Sequence, residues 1–300
     1  MVIEAEKFVP LAERLKIAAE DVGGECTNIS TDTEDLEVLR GAQIVEIEVK
    51  DIEKWQSPEA GEKLLDFFGE AVHRIYGPRD RIVPFNPENP EMHSKAMKSI
   101  YDGDIGIAQK IQVLIENEKV VSFVAGEHEE METPQGKEKV FYLSLIYTDP
   151  EQRNRGIGKE MLRTMLSESD ADSFLAISST PAAVKLSIEE LNRAGFTGFF
   201  CGIPQGDIDR KISQEDVARS DALIDDLTES CDQDGLLSDT GKEQGYLVFK
   251  HEIGPIPPLK RKEVKFDDNP ELQRLFNDKL LKLQDRCGED TVYGIISGVR

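Results

Sequence analysis

Two spacings of apolar residues run through the chain, one of period two and one of three to four, and each marks its own kind of element. Ala42 to Val49 (AQIVEIEV) alternates as a strand does, and Lys110 to Ile115 and Val120 to Ala125 form a hairpin around the polar turn Glu116-Asn117-Glu118-Lys119. Helical spacing places Leu11, Leu15 and Ala18 on one face between Val9 and Val22, with Gly23-Gly24 as the stop. A second helix opens at Ser57-Pro58, carries Leu64, Phe68, Ala71, Val72 and Ile75, and ends at Gly77-Pro78; a third runs from Asn89-Pro90 to Asp102-Gly103. Cys26 to Asp35 is polar and reads as a loop.

The most informative stretch is Phe141 to Leu166, FYLSLIYTDPEQRNRGIGKEMLRTML. Phe141, Leu143, Leu145, Ile146 and Tyr147 have strand character, Asp149-Pro150 is a turn signal, and Ile157, Met161, Leu162, Met165 and Leu166 then follow helical spacing. The unit is strand, glycine-containing turn, helix. It aims a helix N-terminus, with unpaired N–H groups and about half a positive charge, at whatever lies beside the strand end. Gly156 and Gly158 let an anion approach the backbone, while Arg153, Arg155 and Lys159 add positive charge, so a diphosphate fits best.

Two familiar phosphate loops are excluded. A P-loop ending in Gly158-Lys159 needs Gly at 153 and a hydroxyl at 160, where the chain has Arg and Glu; a dinucleotide fingerprint needs Gly at 161, which is Met. The remaining pattern, Arg-x-x-Gly-x-Gly after a strand and a proline, resembles the acyl-CoA loop of the GNAT superfamily of N-acetyltransferases. The order of elements agrees: a hairpin before the loop, then a strand at Phe174 to Ser178 and a helix from Thr180-Pro181 to Gly195-Phe196, about 95 residues in all.

The resemblance implies an α/β GNAT fold: a mixed, mostly antiparallel twisted sheet with helices on both faces. It also implies acetyl-CoA or a related acyl-CoA as cosubstrate. The backbone N–H groups of Asn154, Arg155, Gly156, Ile157, Gly158 and Lys159 would hold the diphosphate, with the Arg153 side chain adding positive charge, and Ile146, Tyr147 and Thr148 would offer strand-end backbone to the pantetheine arm. Amine acylation needs a neutral amine, yet an alkylamine of pKa near 10.4 is unprotonated in only about one molecule in two to three thousand at pH 7. A base is therefore expected among Glu127, His128 and Glu129, with Tyr142 where some relatives carry a glutamate. The family's leaving-group tyrosine falls at Leu191, so that residue is missing; Tyr147 and Tyr246 are substitutes by type, though aromatics in apolar runs are more often core. Arg79 and Arg81 lie in a loop expected over the acceptor side.

Composition narrows the partners. With 59 acidic against 36 basic residues the net charge is −23, which repels nucleic acid and anionic membranes, and 39% hydrophobic content suffices for a core. Cys26, Cys201, Cys231 and Cys287 show no metal-site spacing and the four histidines are scattered, so no metal is expected. No apolar run reaches the ~18 residues a bilayer requires, and the expected location is the cytoplasm. The resemblance implies an amine acceptor, of a small molecule or a protein, and a monomer or homodimer is expected. The rival reading is a catalytically silent module that binds acyl-CoA as a regulatory or interaction domain.

Three regions follow: an N-terminal helical extension (1–41), the GNAT domain (42–252) and a C-terminal helical extension (253–300). From Ile203 to Gln244 an acidic insertion of twelve acidic and four basic residues separates Phe199-Phe200-Cys201 from Tyr246-Leu247-Val248-Phe249. Within it, Ser213 to Asp216 is a capping signature and Val217, Ile224 and Leu227 form a stripe, a helix that either lids the acceptor site or packs on the sheet. The tail predicts a helix capped by Asn269-Pro270, whose stripe of Leu272, Phe276, Leu280 and Leu283 packs either on the chain's own core, the favoured reading, beside the N-terminal helix, or on a second subunit.

Overall fold

A computed structural model describes residues 9–29, 38–39, 41–57, 59–61, 63–64, 67–68, 108–133, 135–178, 180–205, 212–243, 245–250, 269–288 and 291–300. Its frame is a sheet in the order β1 (Gly24–Ile29), β2 (Gln43–Val49), β3 (Lys110–Glu116), β4 (Lys119–Thr133), β5 (Gly136–Thr148), β6 (Ser173–Ser178), β11 (Thr291–Val299), β10 (Tyr246–Phe249), β9 (Leu237–Glu243). A short hairpin, β7 (Thr197–Phe200) with β8 (Ile203–Gln205), joins through β7 and β11. The pairings are antiparallel except β5 with β6, the parallel pair that a crossover helix requires.

That crossover is α3 (Ile157–Glu168), and α4 (Pro181–Arg193) returns on the same face. Met161, Leu162, Met165 and Leu166 of α3 and Val184, Ile188 and Leu191 of α4 cover Val124, Phe141, Phe174 and Ile296. The same core takes in α6, which runs on through Pro270–Arg274, Leu275–Leu280 (a π turn) and Leu281–Cys287. On the opposite face α1 (Leu11–Asp21), α2 (Ile52–Trp55) and helical residues 59–61, 63–64 and 67–68 cover β2 to β4 through Leu15, Trp55, Leu64 and Phe68. Beside them α5 (Gln214–Gln233) covers β5, β6 and β11 through Leu223, Ile224 and Leu227. No helix among the described residues is long and apolar enough to cross a membrane.

The expected helices at both ends and in the insertion are present, and Ser213 caps α5 in a reciprocal box with Asp216. Three expectations change. Residues 24–29 form an edge strand on β2 rather than a loop, since an edge strand facing solvent can be polar on both sides. The hairpin of β4 and β5 runs on to Thr133 and Gly136, beyond the expected ends. The tail is not wholly helical: Thr291–Val299 is buried at every position and pairs with β6 on one side and with β7 and β10 on the other. The strands flanking the insertion therefore meet β11 and not each other. The tail helix packs on the α3/α4 face, away from α1. Arg79, Arg81 and the Asn89 to Asp102 helix lie outside the described residues.

Candidate functional site

Ala125 pairs with Leu145 and Gly126 with Leu143, so Ser144 is one residue too many on β5, a bulge. At the same point β5 and β6 part: their pairing ends at Leu143 and Ala176, while β5 stays with β4 as far as Thr148. The result is a wedge in the sheet. Ser144 Oγ is buried beside it without a hydrogen-bond partner among the described residues, a polar atom left for a ligand or water to satisfy.

The glycine turn closes the open end of the wedge. Asp149 accepts from the Glu151 N–H at 2.9 Å, fixing a single 3₁₀ turn at Pro150–Gln152. Asn154 (φ 66°) and Gly156 (φ 81°) then turn the chain into α3, a left-handed geometry that Asn and Gly adopt at least strain. Gly156 caps the helix with no side-chain hydrogen bond, and a Cβ there would meet nothing within 4 Å. The first amide to bond back into the helix is that of Glu160, to the Gly156 carbonyl, so the N–H groups of Ile157, Gly158 and Lys159 have no intrahelical acceptor, as an anion site requires. At Gly158 a Cβ would lie 3.0 Å from Thr148 Oγ1, with Leu186 and Ile146 next nearest, so glycine lets the helix start press against the strand end. These features fit a diphosphate followed by a narrow chain entering the wedge.

The basic side chains contribute less than expected. Arg155 donates to Gln152 Oε1 and, at 3.3 Å, to Glu116; Lys159 lies 3.7 and 3.6 Å from Glu189 and Glu190; Arg153 Nε donates to the Thr148 carbonyl at 3.3 Å. The backbone of α3 therefore carries the anion site, and Arg153 and Arg155 stand exposed at its rim. Tyr147 is buried against Phe123, ring centroids 5.2 Å apart, and offers backbone only. Ile146 is half-buried against the α3/α4 core.

Strand alternation separates the expected bases. Glu127 stands directly opposite Tyr142, two residues before the bulge, on the α5 face of the sheet. His128 points to the other face, where its Nε2 lies 3.1 Å from Ser169 Oγ and its ring meets Phe141 edge-on. The sheet stands between the two, so His128 does not share a site with Glu127. Burial, and then the Glu129 carboxylate, push Glu127 up to about 7. Burial followed by Lys139 lowers His128, outweighing the opposite pull of Asp170. Several buried or half-buried carboxylates elsewhere meet cations: Glu46 and Glu168 face Lys110, Glu138 faces Arg219, and Glu190 faces Arg163 and Arg193. Glu127 and Glu129 have no such partner among the described residues.

Leu191 is fully buried, and its Cδ2 would lie 3.0 Å from a Cβ on Gly298 of β11, so the position is core and supplies no hydroxyl. Tyr246 is buried beside Cys201. The bulge at Ser144 went unnoticed in the sequence, because a bulge is a property of two strands in register.

Residues 84–187 match the model of the acetyltransferase (GNAT) domain, and the chain carries a domain of that family. The match ends inside α4, so α5, β10 and β11 lie outside it. Among solved structures, a GCN5-related N-acetyltransferase from Kribbella flavida is 16% identical over 47% of this chain and 32% of its own, with a TM-score of 0.30. A GNAT family acetyltransferase from Brucella melitensis, in complex with acetyl-CoA, is 15% identical over 47% of this chain and 78% of its own (TM-score 0.28). Histone acetyltransferase HPA2 and related acetyltransferase from Corynebacterium glutamicum is 16% identical over 48% and 82% (TM-score 0.31). This chain thus spans about a third of the Kribbella flavida protein's length. No curated protein sequence matches it.

Proposed function

We propose that the chain transfers an acyl group, acetyl in the simplest case, from acyl-CoA to an amine. The observation that carries this reading is the wedge: β5 and β6 part at the Ser144 bulge, an open helix N-terminus stands at one end, and Glu127 stands beside the bulge without a cation. Acyl-CoA supplies an activated thioester. The N–H groups of Ile157, Gly158 and Lys159 hold its diphosphate, and the strand-end backbone of Ile146 to Thr148 lies along the path of its pantetheine arm.

On the acceptor side, Glu127 with a pKa near 7 is partly ionised at neutral pH, as a general base should be. It takes the proton the amine nitrogen must lose as the N–C bond forms. The C–S bond then breaks and the sulfur leaves as a thiolate, which water can protonate, since Leu191 brings no acid. Tyr142, opposite Glu127, shapes the approach of the amine. Much of the rate comes from holding amine and thioester together. The unneutralised carboxylates favour an acceptor that arrives as a cation.

The test is release of free CoA thiol from acetyl-CoA across a panel of monoamines, diamines and lysine peptides. Thiol release with one class of amine supports the reading. Tight acetyl-CoA binding with no release for any amine would favour a silent binding module, which Leu191 would suit.

A further inference from the structure

Four other serines of this sheet have engaged hydroxyls. Ser122 Oγ donates to the Tyr147 carbonyl and Ser173 Oγ to the Glu138 carboxylate; Ser178 Oγ accepts from the Thr180 N–H at 3.1 Å, and Ser297 Oγ lies 2.7 Å from Ser220 Oγ of α5. Ser144 differs: its Oγ is sealed from solvent and meets no hydrogen-bond partner among the described residues. Burying a hydroxyl without a partner works against folding, so Ser144 adds nothing to stability that an alanine would lack. The residue as a whole is half-buried, and rotation about its Cα–Cβ bond carries the hydroxyl between staggered positions with no hydrogen bond to hold it in one of them.

The place of Ser144 on β5 gives that hydroxyl its meaning. β4 passes it by in the bulge, and β6 stops pairing one residue before it, at Leu143. At the other end of the wedge, a Cβ on Gly158 would lie 3.0 Å from Thr148 Oγ1, so the free N–H groups at the start of α3 stand beside Thr148. From Thr148 back to Ser144 is four residues. The pantetheine arm is about twelve bonds long from diphosphate oxygen to sulfur, the backbone length of about four extended residues, or about 13 Å. An acyl-CoA anchored by its diphosphate at the helix start therefore brings its thioester level with Ser144.

We propose that Ser144 Oγ donates a hydrogen bond to the carbonyl oxygen of the acyl thioester. The assignment rests on the acyl-CoA reading of the wedge and adds a side chain to it. As the amine nitrogen bonds to the carbonyl carbon, the C=O π pair moves onto oxygen, and the hydrogen bond from Ser144 strengthens with that charge. The pair returns as the C–S bond breaks, the sulfur leaves with its own pair as a thiolate, and Glu127 holds the proton lost by the amine. Ser144 keeps its proton throughout and is unchanged by turnover.

Calorimetry with acetyl-CoA and with S-ethyl-CoA, which carries a methylene in place of the carbonyl, reads this bond without any acceptor. The wild type should bind acetyl-CoA the more tightly. Ser144→Ala should lose about three- to tenfold of that preference, the scale of one hydrogen bond, while its affinity for S-ethyl-CoA holds. Thermal unfolding without ligand supplies the control: Ser144→Ala should be no less stable than the wild type, since the hydroxyl it removes has no partner. With an amine that the wild type acylates, kcat should fall at least about tenfold in the variant. Equal affinity of the wild type for the two compounds, or a preference unchanged in Ser144→Ala, overturns the proposal. A ligand-free Ser144→Ala with a clearly lowered Tm also overturns it, because the hydroxyl is then structural. Absence of acetyl-CoA binding by the wild type overturns the acyl-CoA reading instead.

Discussion

Replacing Glu127 with Gln removes a charge that the fold disfavours, so the substitution is expected to raise stability while it lowers turnover. On folding the carboxyl moves from 4.5 to about 7. At 1.36 kcal/mol per pKa unit the ceiling is about 3 kcal/mol, and because the group is only half-buried, solvent screening reduces the net to about 1–2 kcal/mol. A raised carboxyl pKa acts against the folded state. Below pH 4.5 both states hold the proton and nothing is lost; between 4.5 and 7 the unfolded chain gives it up first, and wild-type stability falls; above 7 the penalty is complete. Thermal unfolding from pH 4 to 9 should therefore show Glu127→Gln coinciding with wild type at the acid end. It should rise above wild type by about 2–8 °C in Tm beyond pH 8. Its kcat/KM for an amine should fall about hundredfold or more, the usual contribution of a positioned base. Parallel Tm curves across the whole range would refute both the burial argument and the choice of Glu127.

Two further substitutions probe the frame of the site. Ile296→Ala empties a buried position on β11 and should cost about 2–5 kcal/mol in denaturant unfolding; a loss under about 0.5 kcal/mol would place β11 outside the core. Gly126→Ala puts a Cβ 2.4 Å from the Phe141 ring and 2.7 Å from the Tyr142 carbonyl, across from the bulge. It should cost about 1–3 kcal/mol and slow amine acylation; wild-type behaviour in both assays would contradict the register that defines the wedge.

What the sequence disclosed was the part of the structure written locally. Asp149-Pro150, the glycines at 156 and 158, and the spacing of Ile157 to Leu166 lie within eighteen consecutive residues, and together they specify strand, turn and helix. Ser213 to Asp216 marked the start of α5 in the same way. What stayed hidden depends on partners far along the chain. Thr291–Val299 is a short apolar run after a helix, and nothing within it says that its neighbour is Ser173–Ser178. The Arg219–Glu138 clamp joins positions 81 apart, so α5 could be seen as a helix while its seat on the sheet could not. The cluster of Glu127, His128 and Glu129 looked like one group in the sequence, and the period of two in a strand divides it between two faces.

The central claim, that acyl-CoA binds at the glycine turn where β5 and β6 part, is tested most directly by calorimetric titration of acetyl-CoA into wild type, Gly156→Asn and Gly156→Glu. Asparagine adopts the left-handed backbone that φ 81° demands and leaves the site uncharged, so it controls for the loss of glycine itself. The account predicts one site in the wild type, affinity within severalfold in Gly156→Asn, and at least about a hundredfold loss in Gly156→Glu, about 2.7 kcal/mol, at an unchanged fold. Acetyl-CoA binding Gly156→Glu as tightly as the wild type would contradict it.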